Sequence, residues 1–174
     1  YLQEKIDGAN VSIWLVDGEL KCGSRTRDLI LAGDDFNGFV SYVSAHEGIM
    51  SFLRENPDLR LYGEWLVRHT VAYNETAYKQ FYLFDIYQQE EKFYLPQSEV
   101  VRFAEDYGIN YAPIFAKGNF CVAEVDEIAG KSHFGDKGEG LVIKPVSPFT
   151  NQFGDNVYAK YVTTEFKEDN AVVF

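Results

Sequence analysis

The sequence predicts an α+β fold with antiparallel sheets flanked by helices, and three observations predict it. Strand-length runs rich in β-branched and aromatic residues recur along the chain. Helical spacing is confined to a few separate stretches, and polar turns rather than long crossovers join neighbouring strands.

Residues 10–16 alternate Val11, Ile13 and Leu15 against Ser12, Trp14 and Val16, the period of a strand. Asp17-Gly18 is a hairpin turn, and residues 19–22 return beside the first strand. After a polar loop with Gly33, Asp34 and Asp35, the apolar positions Phe39, Val43, Ile49, Phe52 and Leu53 predict one helix that ends before Pro57. Residues 59–66 and 80–87 are aromatic-rich strands, and residues 88–92 turn the chain into a further strand at 93–95. Pro96 opens a helix whose apolar face holds Val100, Val101, Ala104 and Tyr107, and Gly108 stops it. A short strand at 112–116, a helix at 122–129 and strands at 141–143 and 157–162 complete the pattern. No repeat, low-complexity tract or linker divides the 174 residues, which predict one domain.

Hydrophobic residues at 46% and aromatics at 16% exclude a disordered or fibrous chain. No apolar run reaches the roughly 20 residues that span a bilayer, which predicts no membrane association. Cys22 and Cys121 are far apart and without metal-ligand spacing, so buried free thiols in a cytoplasmic protein are expected, with a disulfide the lesser alternative. The formal net charge of −11 argues against a stand-alone nucleic-acid clamp, which needs a basic face.

Five short polar segments interrupt the apolar pattern. In Glu4-Lys5-Ile6-Asp7-Gly8-Ala9-Asn10, glycine lets the backbone approach a ligand while a lysine amine is a known covalent catalyst. That amine must be desolvated or placed beside positive charge before it attacks. Arg25 and Arg27 in Ser24-Arg25-Thr26-Arg27 suit bidentate phosphate contact. Glu64 ends a strand, where a carboxylate can accept from a ribose or hold metal-bound water. Phe84 offers an aromatic face to a base. The last segment is Glu139-Gly140-Leu141-Val142-Ile143-Lys144, with Lys160 beyond it. Glu139 and Lys144 are separated by an odd number of positions, so a regular strand puts them on opposite faces.

In this order the five segments resemble the covalent nucleotidyltransferase superfamily of ATP-dependent ligases and mRNA capping enzymes, over nearly the whole chain. The nick-sealing (type 2) RNA ligase branch is the most similar, through Glu-Lys-Ile-x-Gly-x-Asn, Glu-Gly-x-Val-Ile-Lys-Pro and the spacing from Lys160 to Phe166. The resemblance implies an ATP-grasp-like ligase adenylation domain spanning residues 1–174, trimmed at its N-terminus and leaving room for a C-terminal module. It implies that Lys5 is the nucleophile that forms a phosphoramidate with AMP, with Glu4 and Ile6 on the adenine side. Asn10 is expected near the phosphate, Arg25 at ribose or phosphate, Glu64 at the ribose, and Phe84 on the purine. Glu139, and Glu64 with it, are the expected ligands of a divalent metal, Mg2+ or Mn2+, while Lys144 and Lys160 are expected at the phosphates. One departure stands out: the last motif of such enzymes has two lysines with one residue between them, and Val162 stands where the second is expected.

The implied reaction uses ATP, captures AMP on Lys5, passes it to a 5′-phosphate end and seals that end to a 3′-hydroxyl. RNA, as a nicked duplex or an RNA/DNA hybrid, is the implied partner. The acidic balance then predicts that strand affinity comes from a separate domain, a partner protein or a local basic face around Arg25 and Arg27. A DNA ligase, a GTP-using capping guanylyltransferase and a nucleotide- or end-binding module whose catalysis has decayed are the alternatives.

Overall fold

The structure, a computed structural model, describes residues 1–169. Among them the strands are β1 (Leu2–Lys5), β2 (Ala9–Val16), β3 (Glu19–Ser24), β4 (Leu59–Trp65), β5 (Phe81–Gln88), β6 (Phe93–Tyr94), β7 (Ile114–Ala116), β8 (Gly140–Ile143) and β9 (Ala159–Val162). The helices are α1 (Leu29–Ala32), α2 (Phe39–Ala45), α3 (Glu47–Glu55), α4 (Gln97–Asp106), α5 (Val122–Ala129) and α6 (Thr164–Asp169). The strands form two antiparallel sheets, one in the order β3-β2-β4-β5-β6 and the other β7-β1-β8-β9. The predicted α+β class and antiparallel sheets therefore hold. No helix of the described residues is long and apolar enough to cross a membrane.

Local chemistry accounts for most of these elements. Asp17 and Gly18 both adopt left-handed backbone, at φ 51° and 78°, which matches the right-handed twist of β2 and β3. On β2 the alternation resolves as predicted: Val11 and Ile13 are buried against the helices, and Trp14 lies on the other face under the Arg60 guanidinium, 3.8 Å from its ring centre. Pro96 precedes α4, and Gly108 (φ 63°) follows its end.

The main core lies between the five-stranded sheet and α2, α3 and α4. Phe39, Val43, Ile49, Phe52 and Leu53 are fully buried there. Phe52 meets Phe103 and Tyr107 edge-on, with ring centres 5.3 Å apart in each pair. Truncating such a ring costs about 3–5 kcal/mol.

Three expectations need correction. The single helix expected through Leu53 is two, because His46 leaves helical geometry (ψ 99°) and its Nδ1 accepts from the Ile49 amide, capping α3. On α4, Phe103 rather than Val101 joins the core. Cys22 is buried, its thiol pushed up to about 12 by desolvation, but Cys121 is exposed at the start of α5; both are free.

β1 was not legible as a strand, and it is the element that positions the site. Its side chains Gln3 and Glu4 are polar yet buried. Gln3 Nε2 donates to the Ala112 carbonyl, and the Glu4 carboxylate accepts from Ser132 Oγ and from the backbone amide of His133. Those bonds repay the desolvation that would otherwise forbid the burial.

Candidate active site

The two sheets bound a cavity of about 800 Å³, the size of a small-molecule site. β1, β8 and β9 reach it from one side and β2 to β5 from the other. Of the residues expected to act, Lys5, Glu4, Ile6, Asn10, Arg25, Glu64, Phe84, Glu139 and Lys160 all line it. Residues drawn from distant parts of the sequence thus share one space.

Lys5 closes β1 opposite Gly140 of β8, so Glu139 arrives beside it. Lys5 Nζ lies 2.5 Å from Glu139 Oε1, with the lysine side chain 23% exposed and the glutamate 9%. A β-carbon on Gly140 would fall 2.0 Å from the Tyr161 carbonyl oxygen, so only glycine lets β8 and β9 close here. Burial raises the Glu139 carboxyl above the ordinary range; the contact with Lys5 opposes that shift. Its Oε2 is buried and has no hydrogen-bond partner among the described residues.

Glu64 stands opposite Asn10 across the β2–β4 ladder and accepts from the Gly8 amide at 3.1 Å. Desolvation pushes its carboxyl up to about 7; the Gly8 bond and Lys5 pull it back, while Glu139 and Asp7 push further. A β-carbon on Gly8 would lie 2.7 Å from the Trp65 carbonyl oxygen, so glycine is what lets the segment after Lys5 cross β4 this closely.

Phe84 sits where the β4–β5 register slips: Tyr62 faces Asp85, whereas Gly63 faces Leu83. The bulge leaves Phe84 out of the ladder and turns its ring to the cavity. Lys144 is the one predicted site residue that the structure does not bring to the cavity. Its Nζ donates to the Phe84 carbonyl at 2.5 Å and to Asp85 Oδ1 and Gln97 Oε1 at 3.0 Å each, with 6% of the side chain exposed. Burial pulls this ammonium below the usual lysine range, against the pull of Asp85. The odd spacing from Glu139 explains the outcome, because alternation sends Lys144 to the opposite face.

Glu4 lines the cavity while its carboxylate is committed to Ser132 and to His133, whose Nδ1 is 2.9 Å from Oε2. Arg25 also lines it, whereas Arg27 adds an ion pair with Asp34 at 2.5 Å.

Asp7, His69, Asp85 and Tyr158, to which the motif pattern assigns no role, line the cavity as well. Asp7 was visible inside the first motif, but its partners lie in the loop after β4: it accepts from the amides of Thr70 and Val71 and from His69 Nδ1. Nothing in local spacing announces those contacts, which span more than sixty residues.

A family model described as RNA ligase matches residues 1–162. The chain belongs to the RNA ligase family. Among solved structures it is similar to Naegleria gruberi RNA ligase with PPi, at 24% identity and a TM-score of 0.71, covering 97% of this chain and 50% of that one. A mutant of the same ligase with AMP and Mn gives 22% identity, a TM-score of 0.74 and coverage of 97% and 51%. An archaeal ATP-dependent RNA ligase gives 23%, 0.69 and coverage of 95% and 42%. At these identities the likeness is one of fold, and the chain spans about half the length of the ligases it matches. Comparison with curated protein sequences returned no match.

Proposed function

We propose that this chain is the nucleotidyltransferase unit of an ATP-dependent RNA ligase that carries AMP on Lys5. The observation that carries the reading is the Lys5–Glu139 contact of 2.5 Å inside a cavity also lined by Phe84, Glu64, Arg25 and Lys160. An amine, an aromatic face, a ribose acceptor and phosphate-binding cations are the parts that AMP capture needs.

In the first step Lys5 Nζ attacks the α-phosphorus of ATP. A nitrogen–phosphorus bond forms, the bond to pyrophosphate breaks, and the amine gives up a proton. Glu139, in contact with Nζ and held above the ordinary carboxylate range, is the nearest group to hold that proton. Phe84 stacks on the base, Glu64 accepts from the ribose, and Asn10, Arg25 and Lys160 meet the phosphates. In the second step an oxygen of a 5′-phosphate displaces Lys5 from phosphorus. In the third, a 3′-hydroxyl displaces AMP and seals the strand. All three are displacements at phosphorus, so one set of fixed charges serves them.

Glu139 and Glu64 fit a divalent cation such as Mg2+ or Mn2+: two carboxylates meet at Lys5, and Glu139 Oε2 is a buried oxygen without a partner among the described residues. Mg2+ takes one or two carboxylates and fills its shell with water and substrate phosphates. Bound there, the ion would offset phosphate charge and favour the unprotonated amine. Solved ligases of the same fold with ATP and Mn, and with AMP and Mn, support this choice of nucleotide and metal.

Lys144 acts indirectly in this reading, by fixing the bulge that presents Phe84. With a net charge of −11, and with Arg27 already paired, strand affinity comes from another module or partner together with the face around Arg25. Incubation with labelled ATP or labelled GTP tests the reading: ATP alone should leave a covalent, Lys5-dependent label. Label from GTP in preference to ATP would assign the chain to capping chemistry. Binding of ATP with no label would mark a decayed module.

A further inference from the structure

The loop after β4 brings an imidazole to the cavity that no motif announced. His69 lines the same cavity as Lys5 and Glu139, with 58% of its side chain exposed. Asp7, two residues after Lys5, fixes the ring: its Oδ1 is 2.7 Å from His69 Nδ1, while Oδ2 accepts from the Thr70 and Val71 amides at 2.8 and 2.7 Å. A carboxylate that already takes two amide bonds is an acceptor, so Nδ1 carries the hydrogen. The remaining ring atom for a ligand is Nε2, for which no partner is seen among the described residues.

The other charges nearby are committed. Lys5 pairs with Glu139, Arg68 with Glu75, Arg27 with Asp34, and Lys144 with Asp85 behind the cavity. The Glu139 carboxyl feels the charges of Lys5, Asp7 and His69 together, which places the imidazole within electrostatic reach of the nucleophile. Arg25, just after β3, and Lys160 on β9 line the same cavity.

We propose that His69 is a catalytic residue for AMP transfer: as an imidazolium, with hydrogen on both ring nitrogens, its Nε2 donates to the α-phosphoryl oxygens of ATP while Asp7 accepts from Nδ1 and holds the ring in place. The inference rests on the reading of Lys5 as the nucleophile. The reacting phosphorus lies next to Lys5 by necessity, and negative charge on its oxygens is what a fixed donor stabilises. The contact serves both the formation of the lysyl-AMP bond and its reversal by pyrophosphate, since both pass through the same phosphorus.

Two isosteric substitutions separate contact with substrate from support of the loop. The amide nitrogen of His69→Asn sits where Nδ1 was and keeps a donor to Asp7, but offers nothing at the Nε2 position. His69→Gln places its amide nitrogen near the Nε2 position and gives up the bond to Asp7. The experiment measures single-turnover lysyl-AMP formation at saturating ATP with Mg2+ for wild type, His69→Ala, His69→Asn and His69→Gln, with thermal unfolding of each in parallel. The expected result is that Ala and Asn slow the step by about tenfold or more while Gln retains more of the rate than Asn, with unfolding temperatures alike. An Asn variant as fast as, or faster than, the Gln variant overturns the proposal and reduces His69 to a clamp on Asp7. Wild-type protein that forms no adduct under the same conditions instead removes the Lys5 reading itself.

Discussion

Replacing Glu64 by glutamine should make the ligand-free protein more stable and less active. Burial pushes the Glu64 carboxyl up to about 7, against about 4.3 for a free side chain. The folded chain therefore binds this proton more tightly than the unfolded chain does. Its contribution to stability is largest in acid and declines as pH rises, from the unfolded value of about 4.3 to the folded value of about 7. At about 1.4 kcal/mol per tenfold change, ionising Glu64 costs on the order of 4 kcal/mol, of which about 2–3 kcal/mol is lost between about pH 5 and about pH 8. Glutamine keeps an oxygen to accept from the Gly8 amide and cannot ionise. Urea unfolding at the two pH values should show wild type losing about 2–3 kcal/mol more than Glu64→Gln. Identical pH dependence in the two proteins would refute the claim that this carboxylate is held against its own ionisation. Adding Mn2+ near the higher pH should recover part of the wild-type loss and little in the variant, because the cation offsets the buried charge.

Three further outcomes follow from the same geometry. Phe84→Ala should weaken nucleotide binding by about 1–3 kcal/mol in a titration, the range for loss of a stacking aromatic, and retained affinity would return the ring to a packing role. Lys144→Met should lower stability by about 3–5 kcal/mol in urea unfolding, because it leaves the Asp85 carboxylate buried without its ammonium; unchanged stability would contradict the buried network. Arg25→Ala should raise the KM for ATP about tenfold, equivalent to one charge-assisted hydrogen bond, with no change in unfolding, and an unchanged KM would remove Arg25 from the nucleotide site.

Much of this was legible where the signal is local. The Asp17-Gly18 hairpin, the alternation along β2 and the bounds of α5 follow from turn chemistry and period alone. The odd spacing of Glu139 and Lys144 put them on opposite faces, and the structure keeps them there. What stayed hidden depends on partners distant in sequence. β1 looks too polar for a buried strand until Ala112, Ser132 and His133 supply its bonds. His69 gains a place at the cavity only because Asp7 lies beneath it, and the break at His46 rests on a side chain that caps rather than continues a helix. Motif order gathered most of the cavity residues, whereas the groups that hold those residues in position came from the fold.

The measurement closest to the central claim is the intact mass of the protein after incubation with ATP and Mg2+, followed by peptide mapping. The expected result is the added mass of one AMP, located on Lys5 and absent from Lys5→Met. An adduct on another residue, or one that persists in Lys5→Met, would contradict it.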